Sequence, residues 1–123
     1  MQAKTVLIVE DQIEFLAIYK LYLERNGYHV LVAENGEAAV RTAREHHPEL
    51  ILMDFSVPGE LDGVGATAIL KGDPATRDIP VLLLTAHTYG SVGRRAREAG
   101  CDGFISKPCE PRRVLSEVAQ RIG

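Results

Sequence analysis

Two cysteines, Cys101 and Cys109, are all that the 123 residues contain. That is too few for a disulfide framework, and they match no metal-binding spacing, so a reduced, cytoplasmic chain is expected. Basic residues are not in excess either. Fourteen Lys and Arg face seventeen Asp and Glu, a formal net charge of −3, which leaves no electrostatic footprint for direct binding of nucleic acid. No segment approaches the roughly 18 consecutive apolar residues of a membrane span, and the N-terminus lacks the charged start and apolar core of a signal peptide. Low-complexity stretches and linkers are missing as well. What is present, 46% hydrophobic and 25% charged residues, is the make-up of one globular domain long enough to bury a core.

Short apolar runs alternate with helical patterns along the whole chain. Thr5–Val9 is a β-branched run that ends in Glu10-Asp11. Residues 12–26 have helical length, with Phe15, Ile18, Tyr19, Tyr22 and Leu23 as the expected buried face and Asn26-Gly27 as the stop. His29–Ala33 reads as a second strand, Asn35-Gly36 as a turn, and 37–46 as a helix burying Ala39, Val40 and Ala43. Leu50–Asp54 is apolar up to a final carboxylate, the pattern of a strand buried on both faces. A helix over 64–70, a strand over 80–84 ending in Thr85, a weak helix over 91–99 and a strand at Gly103–Ser106 follow. Pro111 suits the first turn of a last helix, whose apolar residues are Val114, Leu115, Val118, Ala119 and Ile122. A (βα) unit repeated five times predicts an α/β fold: a five-stranded parallel sheet with right-handed crossovers and helices on both faces.

In such a sheet the carboxyl ends of all strands emerge at one edge, where ligands bind. The first strand brings Glu10 and Asp11 there, the third Asp54, the fourth Thr85 and the fifth Lys107. Three neighbouring carboxylates repel one another unless a cation compensates. Hard oxygen ligands at an open edge suit Mg²⁺. A divalent ion, a lysine and a hydroxyl around one carboxylate can handle a phosphoryl group, with Asp54 as nucleophile forming an acyl phosphate.

From Thr5 to the C-terminus the chain resembles a two-component response-regulator receiver domain of the CheY-like superfamily. The residues that carry the likeness are Glu10-Asp11, Ile51-Leu52-Met53-Asp54, Thr85-Ala86 and Phe104-Ile105-Ser106-Lys107-Pro108. The resemblance implies a flavodoxin-like three-layer sandwich with strand order 2-1-3-4-5. It also implies that Asp54 accepts a phosphoryl group from a histidine kinase or a histidine phosphotransfer domain. Asp11, Asp54 and the backbone carbonyl of Ser56 would bind Mg²⁺, with Mn²⁺ a possible alternative, and Glu10 would act mainly through water. Lys107 would contact the phosphoryl oxygens, Thr85 would move onto them, and Phe104 would swing inward as the switch aromatic. Ala86, His87 and Pro108 would border the site, and Lys107–Pro108 would be a cis peptide bond. The donor would dock around the first helix, at Ile13 and Leu16, and at the loop after Lys107. The chain would act on itself alone rather than as an enzyme and carry no effector domain; a homodimer is left open.

One departure stands out. The family places two residues between the loop proline and Asp-Gly, whereas here Gly59, Glu60 and Leu61 separate Pro58 from Asp62-Gly63, leaving the course of 56–62 open. Ser56 and His87 occupy positions that vary in the family beside the phosphoryl site, and are expected to tune acyl-phosphate lifetime. Gly63-Val64-Gly65-Ala66-Thr67-Ala68 fits G-x-G-x-x-A, but it does not directly follow a strand and is rejected as a dinucleotide fingerprint. His29, His46, His47 and His87 lack ligand spacing, with His46-His47 read as capping the second helix's dipole. Arg94, Arg95 and Arg97 read as a solvated face, and Cys101 as a small apolar packing residue. Two rival functions differ in what they require. An aspartate-nucleophile phosphatase of the haloacid-dehalogenase type needs a second Asp where Ser56 stands. A phosphorylation-independent scaffold does not need the intact five-residue set.

Overall fold

The computed structural model describes residues 3–86, 90–107 and 109–123, all but Val92 with their side chains. Strands β1 (Thr5–Val9), β2 (His29–Ala33), β3 (Leu50–Asp54), β4 (Val81–Thr85) and β5 (Gly103–Ser106) alternate with helices α1 (Ile13–Arg25), α2 (Gly36–His46), α3 (Gly63–Gly72), α4 (Gly90–Ala99) and α5 (Pro111–Ile122). Every strand pairing is parallel, in the order β2-β1-β3-β4-β5. The order reverses between β1 and β3, so a crevice opens beyond their carboxyl ends.

Successive strand residues point to opposite faces, and the two cores follow this alternation. Leu7, Val9, Ile51, Met53, Val81 and Leu83 pack under α2, α3 and α4. Val6, Ile8, Leu50, Leu52, Leu82, Leu84 and Ile105 pack under Tyr19 and Leu23 of α1 and Val114 and Val118 of α5. β3 and β4 are buried along their full length, which is why both read as unbroken apolar runs.

Three expectations change. On α1 the inward stripe is Leu16, Tyr19 and Leu23, while Phe15, Ile18 and Tyr22 are exposed, as are Ile13 and Leu21. Two apolar stripes lie side by side on this helix, and the sequence alone does not say which one faces the sheet. Asn35 is not a turn residue but the N-cap of α2, its side chain accepting from the Ala38 N–H at 2.8 Å. Ala119 is exposed rather than part of the α5 core face.

The loop after β3 shows how its extra residue fits. Gly59 adopts φ +100°, a conformation that glycine alone takes cheaply. Leu61 packs against the core cluster under α2, α3 and α4. Asp62 then caps α3, its Oδ1 accepting from the Gly65 N–H at 2.7 Å. The two glycines of the rejected dinucleotide motif serve packing, the first against backbone and the second against a side chain. A Cβ at residue 63 would lie 2.5 Å from the Asp54 carbonyl oxygen, and one at residue 65 would lie 2.9 Å from Leu61 Cδ1.

Candidate functional site

Strand alternation decides which end groups can meet. Glu10 continues the Val6, Ile8 face of β1, Asp54 the Leu50, Leu52 face of β3, and Lys107 the Ile105 face of β5; all three faces lie on the α1/α5 side. The pairing of Val9 with Met53 sets Glu10 level with Asp54. Lys107 Nζ reaches Asp54 Oδ1 at 3.0 Å and Glu10 Oε1 at 3.5 Å. Glu10 is fully buried and Asp54 is 3% exposed. Exposed Asp11 completes the group: one carboxylate oxygen from each of Glu10, Asp11 and Asp54 lies within 4.8 Å of the others.

The backbone helps to hold these acids. The N–H groups of Asp11 and Gln12 donate to Glu10 Oε2 at 3.1 and 3.4 Å, and the Ser56 N–H donates to Asp54 Oδ1 at 3.2 Å. Burial drives the Glu10 carboxyl up to about 7, helped by a hydrogen bond to Asp54 and by its charge. Lys107 and the Gln12 N–H oppose that rise. In the metal-free pocket Glu10 therefore keeps its proton to nearly neutral pH.

Thr85 and Phe104 belong to the other face. Thr85 follows the parity of Val81 and Leu83, and Leu83 pairs with Phe104, which packs half-buried against the α2/α3/α4 core. Thr85 is itself 3% exposed, and its carbonyl accepts from the Lys107 N–H at 2.9 Å. The structure thus gathers Glu10, Asp11, Asp54 and Lys107 into one pocket and sets Thr85 at its edge, with Ser56 attached through its amide. Glu34, which follows β2, is exposed and outside the carboxylate group. His87, Pro108 and the Lys107–Pro108 bond lie outside the described residues.

Residues 6–119 match the response regulator receiver domain family. The chain belongs to that family. This receiver domain is 38% identical over 120 residues to the polar-differentiation response regulator DivK of Brucella ovis, covering 98% of this chain and 97% of that one. Among solved structures, the signal receiver domain of a signal transduction histidine kinase from Syntrophus aciditrophicus superposes with a TM-score of 0.89 at 38% identity, over 98% of this chain and 90% of that one. The receiver domain of sensor histidine kinase PA1611 from Pseudomonas aeruginosa PAO1 gives 0.88 at 28% identity over 98% of both chains, and its structure has a magnesium ion coordinated in the active-site cleft. The chain is therefore a receiver domain of two-component phosphorelay signalling, and such domains are in general signalling domains rather than enzymes. Among the described residues, no helix is long and apolar enough to cross a membrane.

Sequence reasoning missed what flanks the receiver site. Phe15 lies under Lys107, with Nζ 5.7 Å from its ring centroid, and stacks on Tyr19 at 6.3 Å. Phe15, Tyr19, Ala86, Lys107 and Cys109 line an almost wholly apolar cavity of about 260 Å³ beside the pocket. The spare aromatic residues of α1 were the available signal.

Proposed function

We propose that Asp54 is the phosphoacceptor and that the pocket around it carries out the transfer. A carboxylate oxygen of Asp54 attacks the phosphorus of a phosphohistidine; the P–O bond forms as the P–N bond breaks. The electron pair of the broken bond stays on the imidazole, which takes up a proton. The observation that carries this reading is the Lys107 ammonium, 3.0 Å from Asp54 Oδ1 and inside a group of three carboxylates. Lys107 moves from pairing with Asp54 to pairing with the transferred oxygens.

The donor set fits a small divalent cation, because three hard carboxylate oxygens converge within 4.8 Å at an open sheet edge. Asp11, Asp54 and the Ser56 carbonyl would hold Mg²⁺, with Mn²⁺ as a substitute, and Glu10 would act through water. When bound, the ion offsets the negative charge of the pocket and of the transferred oxygens. Thr85 and Phe104 would respond to the phosphoryl group on the α4 side, and Ser56 would bear on how long the acyl phosphate lasts. The phosphorylation is a reaction of the domain upon itself, in the cytoplasm, with output through a partner or a linked domain.

The donor, a histidine kinase or phosphotransfer domain, docks on the exposed α1 flank and the cavity under Phe15. Ile13, 74% exposed, offers more of itself to that surface than Leu16, which is partly buried and packs against the core. Incubation with acetyl phosphate and Mg²⁺ should add one phosphoryl mass to the intact protein, lost in Asp54→Asn and without metal. No gain under any condition would favour the scaffold reading.

A further inference from the structure

Leu61 occupies a seat made by two glycines from different helices. A Cβ on Gly36, at the start of α2, would overlap the Leu61 carbonyl oxygen and come 3.0 Å from its Cγ. A Cβ on Gly65, in the first turn of α3, would come 2.9 Å from its Cδ1. The Leu61 backbone requires glycine at 36, and glycine at 65 leaves its side chain undisturbed. Two residues earlier, Gly59 at φ +100° runs beside the Glu37 carboxylate, 3.5 Å from where its Cβ would be. The loop is thus laid across the N-terminus of α2 and held at its two ends. Val57 is 4% exposed at the near end, and Leu61 sits against the core at the far end. Between β3 and these two anchors lies Ser56, whose N–H donates to Asp54 Oδ1 at 3.2 Å.

We infer that Leu61 is a positioning residue for the phosphoryl-transfer pocket. Seated between Gly36 and Gly65, it fixes the path of 55–62 and so holds the Ser56 backbone against Asp54. It touches no reacting atom. This inference rests on the proposed metal site at Asp11, Asp54 and the Ser56 carbonyl, and names what keeps that site formed.

The test compares wild type, Leu61→Ala, Leu61→Met, Gly65→Ala and the double variant Leu61→Ala/Gly65→Ala, with Asp11→Asn as control. Mg²⁺ affinity by calorimetry and hydrogen exchange of the Ser56 amide in metal-free protein are read alongside urea stability. Leu61→Ala should weaken Mg²⁺ binding roughly tenfold, as loss of a group that orients ligands typically does, and should speed Ser56 exchange. Leu61→Met should restore both. Gly65→Ala should weaken binding by displacing Leu61, yet have no further effect in the Leu61→Ala background, where the clash is gone. Lower stability with unchanged Mg²⁺ affinity and unchanged Ser56 exchange would overturn the inference and leave Leu61 a packing residue. Failure of wild type itself to bind Mg²⁺, or binding untouched by Asp11→Asn, would instead overturn the metal-site reading on which the inference rests.

Discussion

Burial, then a hydrogen bond and charge from Asp54, lift the Glu10 carboxyl to about 7 from an ordinary 4.5. Between those values the metal-free folded chain holds a proton that the unfolded chain has released. Folding is favoured by this group below about 4.5, and the advantage declines as pH rises through the window, by about 1.4 kcal/mol per pH unit. Urea denaturation at pH 5 and pH 7.5 should therefore show metal-free protein losing stability with rising pH. The loss should be flattened in Glu10→Gln, which keeps a donor toward Asp54 but cannot ionise. Equal slopes in the two proteins would rule out Glu10 as the cause. The same proton must leave when a divalent cation enters, so Mg²⁺ affinity should rise between pH 6 and 8.

At the scale of elements, α1 separates two roles that its sequence blurs. Ile18 is exposed beside the docking flank, whereas Leu16 packs inward. Ile18→Glu should slow phosphotransfer from the cognate kinase or phosphotransfer domain by about tenfold, equivalent to about 1.4 kcal/mol, while labelling by acetyl phosphate is unchanged. Leu16→Glu should depress both and lower stability, since it buries a charge. Parallel losses for Ile18→Glu would count against the docking surface. The strands were legible because a strand buried on both faces must be apolar along its length, and the pocket was legible from the polar residues ending β1, β3, β4 and β5, although Glu34 after β2 carries the same mark and lies outside it. The buried stripe of α1 was not, since 15, 18, 22 and 16, 19, 23 carry equally apolar residues one helical position apart. Nor was the course of the loop after Asp54. Its anchor, Leu61, is defined by Gly36, which lies 25 positions earlier in the chain, and a close approach over that distance leaves no local pattern.

For the whole molecule, a ligand that binds only the folded state raises its stability by an amount set by concentration, about 1.4 kcal/mol at ten times Kd. Mg²⁺ should therefore raise the thermal midpoint of wild type and leave that of Asp11→Asn unmoved, as followed by circular dichroism; equal shifts would place the ion elsewhere. The sheet also divides the molecule. Glu10, Asp54 and Lys107 stand on the α1/α5 side, while Thr85 and Phe104 follow the opposite parity toward α4. On the proposed mechanism the side on which the signal is written is then not the side on which it is read. The two meet at the strand ends, where the Thr85 carbonyl accepts from the Lys107 N–H. On that mechanism a reader engaging the α4 side would leave the α1 flank open to the donor.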